Sequence, residues 1–320
     1  MKKTLVALSV IMAATSAQAI ELYNQDGVSV DLKGDVEIRY KKGTADGSEM
    51  KQEIDDADFG FDTRYAVNDE LKIGAFLEFS GDNNDRASGN TSVGNVYFGF
   101  YHTEFGTLKI GKLDTQLDDA GIGSDYLFGV NSFFKDANFG GEEAVRYDLD
   151  KGNFYFGLGL IQDKHNAQNI GEDGNYFDLK VGARVADFDF TAFYGSADLQ
   201  GAGMTVEEKE SLLALEARFA GVENLNLEAG YYRVESDPKG GDKEDANTAA
   251  FAADYTMDKV TFAGGLSNTS YSEDGKDSHT DWFLNAGYGI APNTTVYAEV
   301  GGNNKKDSET GYGVGIKASF

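Results

Sequence analysis

The sequence predicts an all-β fold: a transmembrane antiparallel β-barrel of 16 strands joined by short periplasmic turns and long external loops. Three observations predict it. Segments along most of the chain alternate apolar with polar or small side chains, the period-2 pattern of a strand. The connections between them alternate between a short and a long kind. Beyond a leader, no segment approaches the ~20 apolar residues of a membrane helix, so a spanning chain must close a barrel to satisfy its backbone in lipid.

Residues 1–19 read as a signal peptide that is cleaved, leaving 20–320 as a single barrel domain. Lys2 and Lys3 precede a short apolar run, and Ala17, Gln18 and Ala19 form a small-x-small cleavage site. The first strand pattern sends Val28, Val30, Leu32, Val36, Ile38 and Tyr40 to one side. Ser29, Asp31, Lys33, Asp35, Glu37 and Arg39 go to the other. The second sets Phe59, Phe61 and Tyr65 opposite Asp56, Asp58, Asp62 and Arg64, and the third alternates Leu71, Ile73, Ala75, Leu77 and Phe79 with Lys72, Gly74, Phe76 and Glu78. Later segments repeat this, as in Phe177, Leu179 and Val181 against Asp178, Lys180 and Arg184, or Leu213, Leu215 and Ala217 against Glu216 and Arg218. The last, YGVGIKASF at 312–320, places Tyr312, Val314, Ile316, Ala318 and Phe320 on one face. Charges of both signs recur on the polar faces and the apolar faces vary little, which suits a wet lumen and a lipid band better than a soluble sandwich.

The short connections fall at 68–70, 104–106, 150–152, 186–187, 221–224, 257–259 and 290–293. The long ones, rich in Gly and Asp, fall at 41–51, 81–92, 114–143, 163–174, 199–210, 236–247, 272–279 and 303–309. Seven short and eight long connections join sixteen strands with both termini on the short-turn side. Both prolines, Pro238 and Pro292, lie in connections, where they break no ladder.

Composition excludes several classes. With no cysteine there is no disulfide framework or thiolate metal site, and no nucleotide or HExxH-type motif stands where it could act, so no cofactor and no metal are expected. Removing the two leader lysines leaves 26 cations against 54 acids, a net charge of about −28, which excludes nucleic acid as a partner.

Five short motifs, in this order and spacing, resemble those of the Gram-negative general (diffusion) porins across the mature chain. IELYNQDG at 20–27 followed by VDLKG at 30–34 resembles the family's opening, and FGTLKIGK at 105–112 its turn into the fifth strand. NFGG at 138–141 and VRYD at 145–148 resemble the tip of its third loop and the strand that follows, and the terminal Phe320, with Tyr312, resembles its assembly signal. The resemblance implies an outer-membrane homotrimer of sixteen-stranded barrels, in contact with lipopolysaccharide and outer-membrane lipid and inserted by the barrel-assembly machinery. It implies passive diffusion of ions and small hydrophilic solutes, with the third loop folded into the lumen.

On that reading the third loop, from Asp114 to about Glu143, brings Asp114, Asp118, Asp119, Asp125, Asp136, Glu142 and Glu143 toward mid-channel, about three of them facing the pore. Its aromatics Tyr126, Phe128, Phe133, Phe134 and Phe139 fit a packed loop rather than a solvated one. Opposing cations are expected at Arg39, Arg64, Lys112 and Arg146. Parity places the first, second and fourth inside; strict alternation would turn Lys112 outward, and the resemblance places it inside. Asp35 and Asp58 stand where many family members carry Lys or Arg, and Asp31, Glu37, Asp56 and Asp62 add acid to the same wall. A net negative lumen concentrates cations, so cation preference is expected.

Three alternatives remain at this stage. An outer-membrane enzyme would need an activated nucleophile, and neither parity nor spacing gives His102, His165 or His279 a Ser or Asp partner. A selective oligosaccharide channel could use Tyr97, Tyr101, Tyr155, Phe193, Tyr232, Phe283 and Tyr297, which share the lumen parity but lie on widely separated strands; bracing the third loop is the plainer role. A soluble calcium- or sugar-binding sandwich finds no complete calcium loop at 82–85 or 272–278.

Overall fold

The computed structural model describes residues 19–81, 92–130, 139–165, 170–202, 207–273 and 275–320. Seventeen strand segments fill sixteen positions of one closed antiparallel wall. They are β1 (Ile20–Gln25), β2 (Val28–Lys42), β3 (Lys51–Ala66), β4 (Leu71–Ser80), β5 (Ser92–His102), β6 (Gly106–Asp114), β7 (Gly140–Asp150), β8 (Phe154–Gln162) and β9 (Asn175–Val185). The second half comprises β10 (Phe188–Leu199), β11 (Glu208–Val222), β12 (Leu225–Pro238), β13 (Glu244–Met257), β14 (Val260–Tyr271), β15 (His279–Ala291), β16 (Thr294–Asn303) and β17 (Gly311–Ser319).

Closure explains the extra segment. Strand β17 pairs with the upper part of β2, from Lys42 down to Asp35, and β1 pairs with the lower part, from Leu32 to Val28. Between them Gly34 and Phe320 exchange both backbone hydrogen bonds, at 2.7 and 2.8 Å. The first and last segments therefore meet end to end in a single strand position, and no edge is left open.

The short turns follow from residues that tolerate left-handed backbone. Asp26 and Gly27 (φ 53° and 78°) turn β1 into β2, while Asn224, Asp258 and Asn293 hold φ of 64°, 56° and 52° at three other tight turns. Asn, Asp and Gly enter this region at the least steric cost. Alternation does the rest. Val36, Phe59, Leu77, Phe98, Phe190, Leu215, Phe262 and Val314 all stand exposed on the outer face, and their sequence neighbours turn inward.

The buried core sits inside the barrel. Leu117 and Ile122 of the third loop pack in one apolar cluster with Leu113, Ala144, Ile161, Tyr176, Phe193, Leu212, Ala214 and Tyr232 of the inner wall. The lumen face is thus not polar throughout. From β6 to β13 it carries an apolar seat for the loop, and full burial of each such side chain contributes about 1.5–3 kcal/mol.

Candidate functional site: the lumen and its third loop

The third connection leaves β6 at Asp114, makes a 3-10 turn over Gln116–Asp119 and follows the inner wall through its described residues up to 130; β7 begins at Gly140. Wall carboxylates hold it by accepting from its backbone. Asp178 Oδ2 takes the Thr115 hydroxyl at 2.6 Å and the Leu117 amide at 2.8 Å. Glu216 takes Gly121 N–H at 2.6 Å and Glu228 takes Gly123 N–H at 3.0 Å. Glu299 accepts from three consecutive amides, Tyr126 (2.6 Å), Leu127 (3.1 Å) and Phe128 (2.8 Å). Tyr126 also stacks on Tyr297, with centroids 4.1 Å apart and planes 4° from parallel.

From the other side, Lys41 donates to Leu127 O at 2.7 Å and Arg218 to Gly121 O at 2.5 Å. Phe128 packs where Gly301 and Gly311 carry no side chain; a Cβ on Gly301 would lie 2.7 Å from the Phe128 ring. The loop therefore lies inside the barrel, as expected. Most of the proposed lumen aromatics serve it: Phe193, Tyr232, Phe283 and Tyr297 are buried beside it, Tyr155 is buried against Asp189 and Thr191 of the wall, and Tyr97 and Tyr101 are the more open pair.

Of the seven acids assigned to the loop, four meet the lumen within the described residues. Asp114, at the end of β6, receives Asn95 Nδ2 at 3.4 Å. Asp119 pairs with Arg146 at 2.6 Å and with Lys180. Asp118 and Asp125 stand exposed to the lumen but are enclosed by the surrounding barrel. Enclosure raises both carboxyls to about 6, and repulsion adds to it from Asp114 and Asp119 for the first and Glu299 for the second. Asp136 lies outside the described residues, with Phe133 and Phe134.

The last two acids correct the expectation, because β7 begins at Gly140 and both lie on that strand, not on the loop. Glu143 shares its parity with Val145, outward, and binds the side chain and amide of His165 and the amide of Lys164 at the external rim. That carboxylate raises the His165 pKa. Glu142 is exposed two residues above buried Ala144, near the same rim.

The basic set also needs one correction. Arg39 faces inward beside Glu53 (3.0 Å) and Asp55, Arg64 lies 2.8 Å from Asp62, and Arg146 lies between Asp119 and Asp148. Lys112 is not among them. It is in register with outward Val96, its Nζ reaches Val93 O at 2.6 Å, and buried Leu113 takes the inward place. Alternation from Leu108 and Ile110 holds through Lys112 on the β5 side, although the pairing with β7 shifts between Gly111 and Leu113. The lumen lysine of β6 is Lys109.

The acidic wall lies where parity put it. Asp35, Glu37 and Asp56 surround Lys317 at 3.0, 3.5 and 4.0 Å, and Asp62 lies between Lys33 and Arg64. Asp31 pairs with Asp62 across β2 and β3, and Asp58 with Asp35. Alternation placed Lys180, Arg184, Arg218 and Lys317 on the polar face, but sequence reasoning did not count them among the cations opposing the loop. It also passed over the anchoring role of Asp178, Glu216, Glu228 and Glu299; parity marked several of these as inward without saying what they hold. Nearby, Asp119, Asp148, Asp189, Lys180, Arg184 and Arg218 line an alcove of about 500 Å³ floored by Tyr155 and Phe193. One histidine departs from the expectation that none has a Ser or Asp partner: His279 lies 3.1 Å from Asp281, whereas His102 and His165 lie beside glutamates, Glu70 at 3.8 Å and Glu143.

The profile of the Gram-negative porin family matches residues 5–308. A porin-like protein H of Photobacterium profundum is 32% identical over 344 residues, covering 100% of both chains. Among solved structures, the trimer form of OmpT from Vibrio cholerae covers 92% of this chain and 100% of its own at 20% identity, with a TM-score of 0.73. An anion-selective porin from Comamonas acidovorans covers 92% and 100% at 15% identity, with a TM-score of 0.75.

Proposed function

This chain belongs to the Gram-negative porin family, an outer-membrane channel, and from that premise we propose that it admits ions and small hydrophilic solutes by passive diffusion with a preference for cations. Fold alone does not decide selectivity, since an anion-selective porin shares the architecture. Charge placement does. The carrying observation is that the lumen arginines Arg39, Arg64, Arg146, Arg184 and Arg218 each lie beside one or two carboxylates. Asp58, Asp118 and Asp125 have no ion-pair partner among the described residues. The surplus field is therefore negative, and a low-dielectric wall focuses it on the pore. Asp114, Asp118, Asp119 and Asp125 form the acidic side of the constriction; Arg39, Arg64 and Arg146 form a largely compensated basic side.

A homotrimer is the assembly we favour, supported by the trimer form of a structural relative. Lipopolysaccharide and outer-membrane lipid would meet the apolar band, and the barrel-assembly machinery would read the terminal strand at Tyr312 and Phe320. The test is swelling of proteoliposomes in isotonic solutes of equal size. Cationic amino sugars should enter fastest and neutral sugars next, with sugar acids slowest. Equal rates for all three would defeat the selectivity reading.

A further inference from the structure

One lumen cation stands apart from the compensated set. Lys109 lies in a single cross-strand row that runs Arg64, Gly74, Gly99, Lys109, Arg146 across β3 to β7. The neighbours are saturated. Arg64 gives Nε and Nη2 to Asp62, and Arg146 gives its donors to Asp119, Asp148 and the carbonyls of Asp114 and Thr115. Lys109 makes no ion pair and no hydrogen bond among the described residues. Its Nζ rests over the Tyr97 ring, 5.1 Å from the centroid.

The two glycines open the ground around it. A Cβ on Gly99 would lie 2.5 Å from the Tyr101 hydroxyl, so that ring lies across the bare backbone with Arg64 stacked on it at 4.0 Å. Phe76 supports Tyr97 from the next row, with centroids 5.3 Å apart. The result is an aromatic shelf holding one neutralised and one free cation. A ring face binds an ammonium by about 0.5–2 kcal/mol and occupies none of its N–H donors, so Lys109 keeps both its charge and its donors for solutes.

We infer that Lys109 is a selectivity-determining residue: a coordination point for small anions such as chloride and phosphate on the inner wall, which limits the cation preference set by the acidic loop. The inference rests on the proposed channel function. Removing one charge about 6 Å from a permeating ion in a watery pore, with the interaction about halved by salt screening near 0.15 M, changes the cation-to-anion permeability ratio by roughly threefold, and reversing it by about tenfold.

The experiment is the reversal potential of single channels under a KCl gradient for wild type, Lys109→Gln and Lys109→Glu, with Lys112→Gln as the outer-face control. Lys109→Gln should raise the ratio about threefold and Lys109→Glu about tenfold, with Lys112→Gln unchanged. If Lys109→Glu does not assemble, Lys109→Met carries the same expectation as Lys109→Gln. Unshifted potentials in folded Lys109 variants, or an equal shift from Lys112→Gln, would overturn the inference. A chloride-preferring wild type would instead defeat the cation reading and leave the Lys109 shift measurable.

Discussion

Replacing Glu299 by Ala removes the one side chain that accepts from three successive amides of the third loop, those of Tyr126, Leu127 and Phe128. Hydrogen bonds to a charged group contribute about 1.5–3 kcal/mol each in a protein, or roughly 4–9 kcal/mol for the three. Lumen water can replace part of each bond, so about 3 kcal/mol of lost docking is a conservative figure. At 1.4 kcal/mol per decade, that shifts the docked-to-released ratio of the loop tip by about a hundredfold. The wall should not notice, because the β15–β16 and β16–β17 ladders are made by the backbone. Single-channel recording checks it: Glu299→Ala should show a noisier open state and a higher mean conductance, while the unheated gel mobility of the barrel stays that of wild type. A quiet open state at wild-type conductance would refute the anchoring role.

Titration gives the next expectation. Asp118 and Asp125 have carboxyls raised to about 6 from an ordinary value near 3.8, so their charge is present above about pH 6 and lost below it. Cation preference should fall as pH drops from 7 to 5; a flat reversal potential across that range would contradict the assignment. Docking of the loop has the opposite sign. The folded state binds more protons than the released loop between about pH 4 and 6, so docking weakens as pH rises through that window, and open-channel noise should rise with it. Leu117→Ala leaves a cavity in the apolar seat, where Leu117 is 1% exposed; a cost of about 2–5 kcal/mol should appear as added substates in recordings, with barrel melting unchanged.

Much of this molecule was legible before any coordinate. Turn residues such as Asn224 and Asp258 announce their positive φ, and alternation placed Asp35, Asp58, Arg64 and Arg146 on the lumen face because a strand has only two faces. Lys112 shows the limit of resemblance: alternation pointed it outward, the family motif pointed it inward, and the local register obeyed alternation. Glu143 was misassigned for a different reason. A loop boundary read from polarity extends too far when the returning strand opens with charged residues outside the membrane. The clasp of Glu299 on Tyr126 to Phe128, across about 170 residues of sequence, leaves no local trace. Only closure of the wall brings the two together, and a lone inward glutamate reads as lining until the loop it holds is seen. Lys109 was visible by parity between Leu108 and Ile110, but its lack of a partner could be learned only from where every neighbouring carboxylate went.

The central claim is that paired wall arginines and unpaired loop acids leave this pore selective for cations. The direct measurement is the zero-current potential of the purified channel in a planar bilayer at pH 7.5 under a tenfold KCl gradient. The account predicts a potential of the sign that potassium permeation sets, shrinking when Asp118 and Asp125 are both changed to Asn. A potential of the chloride sign, or one unmoved by that double substitution, would contradict it.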